Sequence, residues 1–494
     1  MRNKIYILLG FVLMSFNNEK AIVANNSKLN ADKIWDQYNL YKEQTITNKF
    51  FKHKDVVKLI EKHVKSGAFK NEILGYSVEG RSINHLTIGR GKTKVLLWSQ
   101  MHGDESTATM ALFDSFNFFS SKDENDAFRK YLLDNLELHF VPMVNPDGAE
   151  VWKRRNALGI DLNRDALALV SPESNILKNI GQQLKPEYGF NLHDQTTLYS
   201  VGHTKEPATI SFLAPAYNYE QTESESRKKA IQLIVTMSNN LQKHIPGKVA
   251  KYNDEHEPRA FGDNFQGWGV STILVESGGY KDDFEKQYMR KLNFYTLLQA
   301  LETICNKSYE KEKVSDYYAI NENSHFNYDL VLRNITFIKN GQNYKTNIGV
   351  NQAQISNEDY SSFYFKGTIA EIGDMHLNFG YEDVDASEMT FTTPKVKSME
   401  QAQWKKMSID DELKLIREGY LYVSFTDGNT SSGNIKNRLL NLINEKIIQT
   451  TTLEIGKPAN FILTKNNQPR FAVINGFWVD LSEEAKSIAN TIGY

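Results

Sequence analysis

From about residue 50 to residue 305 the chain alternates short apolar runs with longer stretches in which apolar residues recur every three or four positions. Runs of strand length, KVLLWSQ (94–100), LELHFVPM (136–143), EYGFNLH (187–193) and STILVES (271–277), read as buried strands. The stretches ESTATMALFDSFNFF (105–119), SESRKKAIQLIVTMSNNLQKHI (224–245) and FEKQYMRKLNFYTLLQALETI (284–304) read as helices. That alternation predicts an α/β domain. KSYEKEKVS (307–315) reads as a charged linker. Past it the period shortens: DLVLRNITFI (329–338) and FAVINGFWV (471–479) alternate apolar with polar residues between Asn and Gly turns, predicting a β-rich region. A more helical stretch, SIDDELKLIREGYLY (408–422), interrupts it.

Composition narrows the classes. Lys plus Arg total 58 against 60 for Asp plus Glu, so no basic surplus points to nucleic acid. Cys305 is the only cysteine, which excludes a disulfide framework and a cysteine-based zinc site. Arg2 and Lys4 precede the apolar run IYILLGFVLMSF (5–16), which reads as a secretory leader over residues 1–24. No later run reaches the ~20 apolar residues of a membrane span. The expectation is an exported protein, periplasmic or secreted, with a catalytic domain over 25–306 and a β-rich domain over 316–494.

Chemistry gathers where strands end. The first strand runs into His102-Gly-Asp-Glu105, the third finishes at His193, and the last finishes at Glu276. H-x-x-E occurs again at His203 and Glu206, in a polar segment closed by Pro207, so the pattern alone identifies nothing. Parallel strands deliver their carboxyl ends to one edge of a sheet, where ligands bind. Two imidazoles and a carboxylate form a catalytic zinc set with one position left for water. Between these strands, Asn145-Pro-Asp-Gly148 reads as a turn, followed by Arg154, Arg155, Asn163 and Arg164. Arginine's planar fork suits a carboxylate and a developing oxyanion, both of which a peptide C-terminus presents.

The order His102/Glu105, Asn145–Gly148, Asp161-Leu-Asn-Arg164, His193, Glu276 resembles the M14 (carboxypeptidase A-like) zinc carboxypeptidases over about residues 70–305. The resemblance implies a mixed, mostly parallel sheet between helices, and one Zn²⁺ held by His102, Glu105 and His193. It further implies Glu276 as general base, Asn163 and Arg164 as the grip on a substrate's free C-terminal carboxylate, and Arg154 or Arg155 as the oxyanion arginine. RAFGDNFQGWG (259–269) stands where the family shapes its side-chain pocket. There Phe261 would favour apolar side chains and Asp263 cationic ones. A zinc amidase or deacylase, a cell-wall peptide hydrolase and a non-catalytic peptide-binding protein are the alternative readings.

The β-rich region resembles the opening (328–350, 368–374, 381–394) and closing (451–464, 472–479) strands of metal-dependent amidohydrolases, which form one sandwich around an inserted barrel. Only residues 395–450 separate the two pieces here. A barrel needs ~250 residues. The expectation is a sandwich without a barrel and without a metal of its own.

Overall fold

The computed structural model describes residues 31–427, 438–443 and 453–484; the leader read at 1–24 lies outside them. The chain divides into two compact units, one running to Gly202 and over Glu206–Ser324, the other comprising His203–Lys205 and the chain from His325.

In chain order the strands of the first unit are β1 (Lys70–Tyr76), β2 (Ser82–Gly89), β3 (Thr93–Ser99), β4 (Leu136–Val141), β5 (Tyr188–Asp194), β6 (Ser200–Val201), β7 (Ile210–Leu213), β8 (Val249–Lys251), β9 (Ser271–Ser277) and β10 (Asn323–Ser324). All but β6 and β10, which pair with each other, form one eight-stranded sheet in the order β1-β2-β4-β3-β5-β9-β7-β8. The four central strands, β4, β3, β5 and β9, are parallel, while β1, β2 and β7 join them through antiparallel pairings. This is the mixed sheet expected.

The near-continuous apolar runs follow from burial on both faces. In β3, Val95 and Leu97 enter one core with the helices Thr107–Ser120 and Gln287–Asn306. Leu96 and Trp98 enter the other with Leu177 and Ile180 of Pro172–Leu184 and with Phe265 of Phe261–Gly267. The first core also encloses an ion pair: Arg290 Nε donates to Asp114 Oδ2 at 2.7 Å, and Tyr38 Oη donates to the same oxygen at 2.8 Å. Breaking one side of such a pair costs about 3–5 kcal/mol, so it locks the helices Tyr38–Tyr41 and Thr107–Ser120 to Gln287–Asn306.

The stretch 307–315 is not a linker. Ser308–Lys311 is a 3₁₀ turn and Val314–Tyr318 a helix, and both Tyr309 and Tyr317 are buried in the first core. Tyr309 Oη lies 2.6 Å from Tyr188 Oη, and the Ala214 N–H donates to Tyr317 Oη at 3.2 Å. The charges around the tyrosines concealed two anchors, and the first unit extends to Ser324.

In the second unit both β-rich pieces join one eight-stranded sheet, where Thr390–Thr392 pairs with Phe461–Lys465. Among the described residues between them are the helices Gln401–Lys406 and Ile409–Arg417 and a parallel ribbon of Lys395–Met399, Tyr420–Phe425 and Asn441–Leu442. Alternation decides which face each residue serves: Ile462, Ala472 and Ile474 pack with Trp404 and Leu413, while Phe461, Leu463 and Val473 pack with Leu330 and Val350. No helix among the described residues is long and apolar enough to cross a membrane.

Candidate metal centre

The chain leaves β3 for β4 on one side and returns to β5 on the other, so the carboxyl end of β3 is a topological switch point where a crevice opens. His102 follows β3 there, and His193 ends β5 in register with Glu276 on β9. Gln100, at φ 51°, turns the backbone out of the strand. At Gly103 a Cβ would lie 2.1 Å from the Gly148 carbonyl carbon, so only glycine lets the His102 turn rest on the Asn145–Gly148 turn. That contact also places an arginine. The Gly103 N–H and Asn145 Nδ2 both donate to the Arg154 carbonyl, at 3.4 and 3.2 Å.

The ligand atoms of His102, Glu105 and His193 all lie within 4.8 Å of one another, and all three residues are buried. His102 Nδ1 is 2.8 Å from Glu105 Oε1, His193 Nδ1 is 2.8 Å from Glu105 Oε2, and the two Nδ1 atoms are 3.2 Å apart. The His102 Nε2–H donates to Asp161 Oδ1 at 3.0 Å, so that in the neutral ring Nδ1 carries the lone pair. Two ring nitrogens and a carboxylate converge here, and with both Nδ1 atoms unprotonated they form a donor set fitted to a cation. Zinc bonds of ~2.0–2.1 Å in a tetrahedron separate neighbouring ligands by roughly 3.4 Å, close to the nitrogen spacing here. Carboxylate support of a ligating histidine, as by Asp161, is the usual outer shell of such sites.

The electrostatics follow from burial and crowding. Against burial, His102 and then His193 hold Glu105 well below the usual carboxylate range. Burial, then the Glu105 charge, pushes Glu276 well above it; a cation among the ligands acts in the opposite sense. Glu276 Oε2 is buried without a hydrogen-bond partner among the described residues.

The basic loop sorts into two. Arg154 turns inward: its Nε donates to Asp161 Oδ2 at 3.0 Å and its Nη1 to Glu105 Oε1 at 3.1 Å. Arg155 turns outward and donates to the Gly159 carbonyl. Asn163 is buried, its Oδ1 accepting from the Phe261 N–H at 2.9 Å, while Arg164 is half-exposed with Nε 3.3 Å from Glu257 Oε2. Phe261 and Asp263 stand apart from the cluster. Phe261 has no exposed surface and belongs to the core around Trp98. Asp263 is buried, raised to about 6 by burial, and accepts from the Glu257 N–H and from His256.

Two residues escaped the sequence reading: Asp161, bonded to His102, and Tyr252, which feels the charge of Glu276. Asp161 was visible as part of a motif, and the need of a ligating histidine for a carboxylate was the available signal. Tyr252 was not: burial, then Tyr199 at 3.5 Å and the charge of Glu276, raise its hydroxyl. It follows β8, which runs antiparallel to β9, so no strand-end rule points to it.

Residues 61–173 match the Peptidase_M14 family, zinc carboxypeptidase. The chain is 29% identical over 134 residues to an uncharacterized protein of Zymomonas mobilis, covering 26% of this chain and 35% of that one. It is 37% identical over 65 residues to Carboxypeptidase SOL1 of Arabidopsis thaliana, 13% of each chain. It therefore spans about a third, or less, of the length of these curated relatives. Among solved structures it is similar to a metallo-carboxypeptidase from Burkholderia cenocepacia (TM-score 0.44, 17% identity, 52% of this chain and 69% of that one). It is also similar to a metallo-carboxypeptidase from Pseudomonas aeruginosa (TM-score 0.41, 19% identity, 51% and 68%). The likeness to M14 zinc carboxypeptidases read from the motifs is borne out by the family match.

Proposed function

We propose that the first unit is a zinc-dependent hydrolase that removes residues from the C-terminus of a peptide, and that its leader carries it out of the cytoplasm. The observation that carries this reading is the convergence of His102, Glu105 and His193 beside Glu276, whose carboxylate has a buried oxygen without a partner among the described residues. His102 and His193 through Nδ1, with Glu105, would hold one Zn²⁺. The bound ion supplies Lewis-acid activation of water and of the scissile carbonyl.

The chain's own residues carry the rest. Glu276 takes a proton from the attacking water and passes it to the leaving amine. Arg154, anchored through Nε on Asp161, keeps Nη1 free to exchange Glu105 for a developing oxyanion. Asp161 fixes the His102 tautomer and so aims its Nδ1 lone pair at the metal position. Asn163 and Arg164 receive the substrate's terminal carboxylate, Arg164 with a guanidinium already at the surface.

The deciding experiment measures zinc in the purified protein and hydrolysis of peptides with free and amidated C-termini. One zinc per chain and a strong preference for the free carboxylate are expected. Glu276→Gln should keep the zinc and lower kcat by about 10²–10⁴-fold. Zinc-free protein that gains no activity when zinc is added, or a Glu276→Gln variant with full kcat, refutes the reading.

A further inference from the structure

We propose that Glu257 is an internal carboxylate that competes with the substrate's carboxylate for Arg164, and that Arg259 sets how strongly it competes. The inference rests on the reading that Arg164 receives a substrate carboxylate. Glu257 is shared unequally between two cations. Arg259 holds it with a planar fork, Nε to Oε1 at 3.0 Å and Nη2 to Oε2 at 2.8 Å, and its own N–H donates to Oε1 at 3.2 Å. Arg164 touches only one corner, Nε to Oε2 at 3.3 Å.

The two loops involved are stitched together. Asn163 Oδ1 accepts from the Phe261 N–H, the Ala166 N–H donates to the Arg259 carbonyl at 3.1 Å, and Asp263 Oδ1 accepts from the Glu257 N–H at 2.9 Å. These bonds keep the two loops side by side, while the Arg164 and Glu257 side chains can part by rotation of their own. Hydrogen bonding to Arg259 first holds its carboxyl near 2, so it is charged at any working pH.

Two guanidiniums facing one carboxylate leave one positive charge over. An arriving carboxylate can take Arg164 while Glu257 falls back wholly on Arg259, and no charge is stranded. Without Arg259, Arg164 becomes the only cation left to Glu257, and the newcomer must displace it. All three side chains are partly exposed, so solvent screening keeps the effect to about two- to fivefold in binding.

The test uses zinc-loaded protein and calorimetric binding of 3-phenylpropanoate, with 3-phenylpropanamide as the uncharged control. Glu257→Gln should tighten the carboxylate about twofold or more, and Arg259→Ala should weaken it about two- to fivefold. The cycle decides the cause. If Arg259 acts through Glu257, Arg259→Ala in the Glu257→Gln background costs nothing. If it costs the same factor as in the wild type, Arg259 attracts the ligand directly and the proposal is overturned. Weaker or unchanged binding in Glu257→Gln also overturns it. Arg164→Ala separates the premise from the inference: a carboxylate preference that survives this variant sinks the assigned grip itself, and both readings fall.

Discussion

Two stretches of this chain carry the pattern H-x-x-E, and only one of them forms a cluster. After β3 the backbone turns so that the Glu105 N–H donates to the His102 carbonyl, and both side chains then face the end of β5. At the other stretch the chain makes a hairpin-like return: the Val201 N–H donates to the Glu206 carbonyl and Ala208 pairs back to Tyr199. There the histidine and glutamate point apart. His203 sets its ring 4.3 Å from Phe326, and Glu206 pairs with Lys248. Spacing of three is therefore necessary for the pair but does not make a site. A helical entry at a switch point, a third ligand on the neighbouring strand and a carboxylate behind the first histidine make the difference.

The comparison breaks most sharply on metal binding. His102→Ala should lose zinc and all hydrolysis, whereas His203→Ala should keep both at wild-type levels, read by metal analysis and kcat. Zinc retained in the first variant and lost in the second would reverse the assignment. The arginines give the next contrast: Arg154→Ala should lower kcat by about 10²–10³-fold with little change in KM, and Arg155→Ala should change neither. Equal losses in the two would mean that the inward turn of Arg154 is irrelevant to the reaction.

Smaller effects sharpen the role of the surroundings. Asp161→Asn should weaken zinc affinity about 10–100-fold in competition with a chelator, while Glu206→Gln leaves it untouched. Undiminished affinity in Asp161→Asn would remove the carboxylate from the account. The smallest effect concerns the buried His63, whose Nδ1 meets the Ser120 hydroxyl at 3.1 Å. Burial, then Lys62, lowers His63 to about 4, so the folded state holds it neutral while the unfolded state takes a proton below about 6.5. The unfolded chain binds more protons between these values, and stability falls as pH drops through that window by at most about 1.4 kcal/mol per pH unit. His63→Gln should flatten that part of the urea-midpoint profile; an unchanged slope would mean that other groups set it.

Much of the first unit was legible because burial on both faces leaves unbroken apolar runs, and STILVES is the strand Ser271–Ser277 to the residue. The four residues at the strand ends were legible for a related reason: polar chemistry directly after such a run has no structural need. Charge misled at 307–315, where lysines and glutamates surround Tyr309, which points inward, as Tyr317 does just beyond. Pattern also fell silent at RAFGDNFQGWG. Nothing local distinguishes a phenylalanine lining a pocket from one packed under Trp98, or an aspartate facing substrate from one accepting the Glu257 N–H.

The sequence by itself determined the elements and the identity of the converging residues, because periodicity is a property of consecutive positions, while the parallel centre of the sheet was implied only by the resemblance to the M14 family. Only the tertiary structure decided which H-x-x-E pair forms a cluster, that Arg154 and not Arg155 turns inward, that Asp161 stands behind His102, and that Glu257 leans on two arginines. Each of those facts depends on side chains from separate loops meeting within hydrogen-bond distance. Such meetings are set by how the turns at His102–Gly103 and Asn145–Gly148 rest on one another, which no single stretch of sequence encodes.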